Sequence, residues 1–163
     1  MDDDPLAERQ AKAADTGPHG LRMESWFSAA PYELLLHMEL VQASDGTATL
    51  TMPFLLQFAQ GAALMHGGAL MSLADTAMVM AIKSVLPPYT HFATVHVEAD
   101  YLRPVTQGIV TARAQLTGRK GRKITGETCV FNDSSEPVLA FSGVFVVARD
   151  SRIKGVTFAD DRK

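Results

Sequence analysis

The sequence predicts an α+β domain in which one antiparallel sheet of about six strands curls around a single long helix. Three observations carry this expectation. Strand-like segments lie on both sides of one long apolar segment, residues 69–86. The links between strands are too short for parallel crossovers, which need a dozen residues or more. The long segment is apolar on nearly every side, which marks a buried helix.

Taken in order, residues 32–43 and 47–53 read as two strands, and Ser44-Asp45-Gly46 between them is a hairpin signal. The helix follows over residues 69–86, carrying Leu70, Met71, Leu73, Ala74, Ala77, Met78, Val79, Met80, Ala81 and Ile82, and Pro87-Pro88 stops it. Residues 92–103, 108–117, 123–132 and 137–149 read as four more strands, punctuated by Pro104 and Gly108, Gly118 and Gly121, and Asn132-Asp133-Ser134-Ser135. Flanking this domain (residues 23–149), residues 1–22 read as a mobile acidic arm, with a short helix expected near Leu6–Ala14, and residues 150–163 as a charged tail.

Composition narrows the function classes. At 163 residues with 47% apolar and 20% charged side chains, the chain fills one globular core. A net charge of −3 leaves no basic excess for a nucleic-acid backbone. The single cysteine, Cys129, excludes an internal disulfide and any cysteine-cluster metal site, and reads as a buried, inert thiol. The start Met1-Asp2-Asp3-Asp4 has the wrong sign for a secretory leader, and Ser72, Asp75, Thr76 and Lys83 interrupt the apolar run. A cytoplasmic protein without a membrane span is expected.

Two features stand out chemically. Asp75 lies mid-helix, where an ionised carboxylate is costly unless it is paired or faces a cleft. Such an acid serves either chemistry or a polar subunit contact. His66-Gly67-Gly68 opens the same helix, where bare backbone N–H groups and the helix dipole favour developing negative charge. His66 and Gly68 therefore join the candidate substrate-binding set, although His66 also suits a purely structural hydrogen bond. Asp75 follows Gly67 by eight residues, about 12 Å along a helix, so one substrate carbonyl cannot touch both on one chain. Two antiparallel helices about a twofold axis would bring them together. If the two groups work together, this predicts a homo-oligomer with shared sites. Four cations in Arg119-Lys120-Gly121-Arg122-Lys123, with Arg103 at a strand end, could hold phosphates, or simply form a solvated turn.

QGAALMHGGALMSLADTAMVMA (residues 60–81) and ATVHVEADYLRPV (residues 93–105) resemble the hotdog-fold acyl-CoA thioesterases of the phenylacetate-degradation (PaaI-like) branch. The resemblance implies that Asp75 attacks the thioester carbonyl or activates water, and that the Gly67 N–H binds the oxyanion. It further implies Gln60 near the same carbonyl, Thr94 near the attacking water, and a tetramer built as a dimer of dimers. Ala63 departs from the family pattern, which has glycine there. Coenzyme A enters as part of the substrate, and no metal or other cofactor is expected. Two rivals remain: a non-catalytic acyl-CoA binding or scaffold protein, and an enoyl-CoA hydratase on the same fold.

Overall fold

The computed structural model describes residues 17–159. A six-stranded antiparallel sheet has the order β2-β3-β5-β6-β7-β4, with β2 (Glu39–Ser44), β3 (Thr47–Pro53), β4 (Thr90–Tyr101), β5 (Ile109–Lys120), β6 (Lys123–Phe131) and β7 (Pro137–Arg152). One long helix, α2 (Gly67–Lys83), lies against its concave face. The expected α+β architecture is present.

Alternation along the strands builds the core. Leu50 and Met52 of β3, Val110 and Ala112 of β5, Ile124 and Val130 of β6, and Phe141 and Phe145 of β7 turn inward and are buried. They meet Leu73, Ala74, Ala77, Met78, Ala81 and Ile82 of α2. Gly126 of β6 packs tightly against the helix, where an added Cβ would run into the Met78 methyl and lie 2.8 Å from the Gln115 carbonyl. The same alternation turns Thr128 inward and Cys129 outward. Cys129 is thus half-buried on the outer face of the sheet, not a core thiol.

The helix is buried on all sides but one. Gly68 is exposed, while Ser72, Asp75, Val79 and Lys83 remain half-buried, forming a stripe at near one-turn spacing. His66 caps its start, accepting the Gly68 N–H on Nδ1 at 2.8 Å.

Two elements differ from the sequence expectation. The first strand does not begin at Tyr32, because residues 31–35 form a short helix, α1 (Pro31–Leu35). Pro31 fits its first turn, the Glu33 carboxylate accepts the Ala30 N–H, and His37 at φ 53° ends it. At the other end, β7 runs past residue 149 and the chain returns as β8 (Val156–Phe158). β8 pairs in parallel with β1 (Leu21–Met23). Met23, Trp26 and Phe158 form a second small core there, joined by Tyr89 and Ile153. The arm and its expected helix near Leu6–Ala14 lie outside the described residues up to residue 16, while Leu21 and Arg22 belong to β1. The hairpin at residues 44–47 is as expected, with Asp45 and Gly46 both at positive φ, as a primed turn demands.

Gly126 therefore leaves the room that the Met78 side chain fills. Gly126→Ala overpacks the contact with Met78, and chemical denaturation should show a loss of about 1–3 kcal/mol.

Candidate active site

The Asp75 carboxylate sits on the open stripe of α2 and is half-buried. The Thr94 hydroxyl, on edge strand β4, donates to Asp75 Oδ1 at 3.0 Å. Burial raises the Asp75 pKa above the usual carboxylate value, and the Thr94 bond opposes that rise. Behind the acid, the buried Thr128 hydroxyl donates to the Ala74 carbonyl at 3.2 Å, tying the peptide that carries Asp75 to β6. An apolar cavity of about 230 Å³ opens beside the pair, with Thr94 and Val79 in its wall.

Gln60 and Gly67 meet at the other end of the helix. The loop before α2 closes on itself: Ala59 bridges Met65, Gln60 N–H donates to the Leu64 carbonyl at 2.8 Å, and Ala63 N–H to the Gln60 carbonyl at 2.9 Å. Ala63 adopts φ 61°, so the loop follows a path suited to glycine although the residue is alanine. The Gln60 Oε1 accepts the Ala62 N–H at 2.6 Å, which leaves the amide nitrogen as the donor for a ligand. Gly68 spends its N–H on His66, whereas the Gly67 N–H has no acceptor among the described residues. Tyr101 covers Gly67: its hydroxyl donates to the Gly67 carbonyl at 3.1 Å, and a Cβ on Gly67 would lie 2.9 Å from the ring. Gln60, Gly67, Tyr101 and Arg103 line a cleft of about 270 Å³. Arg103 is steadied by its bond to the Pro137 carbonyl at 2.8 Å.

The structure thus brings together Asp75 with Thr94, and Gln60 with Gly67 and Arg103, as two separate groups about 12 Å apart along the helix. The basic hairpin joins neither. Arg119 lines a recess with Pro87, Pro88 and Tyr89, beyond the far end of α2, and Arg122 donates to the Val147 carbonyl at 3.0 Å. Lys120 and Lys123 face each other at the tip of the same turn.

Residues 63–138 match the family model described as Thioesterase superfamily. This central segment is similar to that family. Solved structures share the fold. A conserved protein of Pseudomonas aeruginosa is 27% identical with a TM-score of 0.71, over 74% of this chain and 95% of that one. The PaaI protein of E. coli is 23% identical with a TM-score of 0.67, over 93% and 96%. A hypothetical thioesterase of Streptococcus pneumoniae, solved with coenzyme A, is 16% identical with a TM-score of 0.64, over 71% and 87%. No curated protein matches. The resemblance carried by residues 60–105 is borne out by this match. Among the described residues no helix is long and apolar enough to cross a membrane.

Sequence reasoning missed two residues of the site. Tyr101 stood in the quoted strand-end motif, yet nothing in the sequence says that its ring reaches Gly67. Thr128 did leave a signal, a polar side chain on the inward register of an otherwise apolar strand.

The Asp75–Thr94 bond makes a signed prediction. Thr94→Val removes the one contact that lowers the Asp75 pKa, so carboxyl-carbon NMR titration should place it higher than in the wild type. Because the folded-state pKa exceeds the unfolded one, stability is greatest with Asp75 protonated. It declines as pH rises from the unfolded pKa through the folded one, and the variant should extend that decline to higher pH.

Proposed function

We propose that the protein hydrolyses acyl-CoA thioesters with Asp75 as the general base. The observation that carries this reading is a carboxylate held mid-helix, half-buried, raised in pKa by burial and paired with a neutral hydroxyl instead of a cation. A purely structural acid would gain from a cationic partner, whereas a raised pKa makes a carboxylate a better proton acceptor.

In the proposed reaction Asp75 takes a proton from water as the water oxygen bonds to the thioester carbonyl carbon. The carbonyl electron pair moves onto oxygen, where the Gly67 N–H and the Gln60 amide stabilise it. Collapse re-forms the carbonyl, breaks the carbon–sulfur bond and expels coenzyme A as thiolate. The proton on Asp75 then passes to sulfur. This chemistry draws on no metal or redox cofactor.

The ~12 Å between Gly67 and Asp75 requires the donors to come from a second copy of the chain. The open stripe of α2 and the unpaired edge of β4, with Val95 and Leu102 exposed along it and just beyond its end, suit a twofold partner. A dimer of such dimers is our proposed assembly. In it Arg103 stands beside the oxyanion donors and the Arg119–Lys123 hairpin serves as the outlying phosphate-binding element. Coenzyme A is an intracellular carrier, which argues for a cytoplasmic location.

Asp75→Asn is the direct test. Asn keeps the size and can still accept the Thr94 hydrogen bond, but it cannot take a proton from water. Thiol release from acyl-CoA should fall about 10²–10⁴-fold with the fold retained. Activity within a few-fold of the wild type would remove Asp75 from the reaction and favour a binding or scaffold protein.

A further inference from the structure

The apolar cavity beside Asp75 has a wall that the sheet and helix do not supply. Thr94, which bonds Asp75, and Val79, one helical turn beyond Asp75, line it, as do Met23, Trp26 and Phe158. Those three residues come from the two terminal segments joined by the β1–β8 pair, and all lie outside residues 63–138. That end of the cavity is therefore built from outside the segment that matches the family model.

Trp26 is fixed in that wall from several directions. Its indole N–H donates to the Lys83 carbonyl at 3.3 Å, and Lys83 Nζ donates back to the Trp26 carbonyl at 2.9 Å. The same ammonium lies 4.8 Å from the indole centroid, and Tyr89 and Phe158 pack edge-on at 5.9 and 6.2 Å. This clasp binds residues 21–27 to the last turn of α2. It makes the indole a rigid stop two turns beyond the acid.

We propose that this cavity receives the acyl group of the thioester, and that Trp26 is the specificity-determining residue that closes it and limits acyl length. The assignment rests on the reading that the thioester carbonyl sits at Asp75. An apolar cavity of about 150 Å³ holds a six-carbon ring, so about 230 Å³ takes roughly eight or nine carbons. The matching substrates are medium-chain or single-ring acyl thioesters, with longer chains blocked by the indole.

The test uses the full chain and two readouts. The first is kcat/KM for thiol release across acetyl-, butanoyl-, octanoyl-, dodecanoyl- and palmitoyl-CoA. The wild type should fall at least about tenfold from octanoyl to dodecanoyl, more than the cost of a single misfitted methylene. Trp26→Ala should move the fall-off to longer chains. Val79→Phe, which fills part of the lining near Asp75 and lies outside the Trp26–Lys83 clasp, should move it to shorter ones and remains informative if Trp26→Ala does not fold. The second readout is emission from Trp26, the single tryptophan, during titration with the non-hydrolysable octanoyl-CoA thioether. A saturable change with the thioether, absent with coenzyme A alone, supports the pocket. Thiol release with unshifted chain-length profiles in the folded variants and no emission change overturns it. A saturable emission change without thiol release from any substrate supports the pocket and overturns the hydrolase reading instead.

Discussion

A carboxylate in the middle of an apolar helix is the constraint on which the rest of the structure depends. Asp75 cannot be enclosed without a partner, so one stripe of α2 must stay open while the other faces fill the core. The sheet meets that requirement by ending at β4, whose Thr94 reaches the acid without closing over it. Thr128 then holds the peptide behind the acid to the sheet. A buried tether and an exposed hydroxyl thus fix the acid from opposite sides, and burial leaves it with a raised affinity for a proton.

The rigidity of the helix divides the site. His66 and Tyr101 lock the first turn so that Gly67 keeps its N–H free, yet that N–H cannot bend toward an acid two turns away on the same helix. In the proposed reaction, a second helix running the other way supplies the missing group to one carbonyl. Under that proposal, catalysis and self-association are one requirement. The exposed β4 edge and the open helical stripe are the surfaces on which this account depends.

Much of this was legible in the sequence because it is written in local chemistry. Periodicity marked the helix, short polar turns marked antiparallel pairing, and Asp75 and Gly67 were visible as a costly charge and a bare helix start. Strand ends were less legible. Residues 32–35 have strand-like side chains, but Pro31 fits a helical first turn and Glu33 caps it, so local hydrogen bonding overrides composition. The charged tail hid β8 because three residues carry no period, and only pairing with β1 gives them a place. Tyr101 over Gly67 and the Trp26–Lys83 clasp are contacts between segments far apart in the chain, which no local pattern encodes. The hairpin cations were easy to see, but their position beyond the far end of α2 depended on the register of β5 with β6.

The claim that one site draws on two chains is tested most directly by complementation. Asp75→Asn and Gln60→Ala are each expected to impair thiol release when present alone. Co-expressed with different tags and isolated as doubly tagged protein, they form mixed dimers in which one site carries both lesions and the other carries neither. Thiol release from the doubly tagged species should then lie at roughly a quarter to a half of the wild type, half for isolated mixed dimers and nearer a quarter for randomly assembled tetramers, far above either parent. Activity no higher than the average of the two parents would place both residues in one chain's site and contradict it.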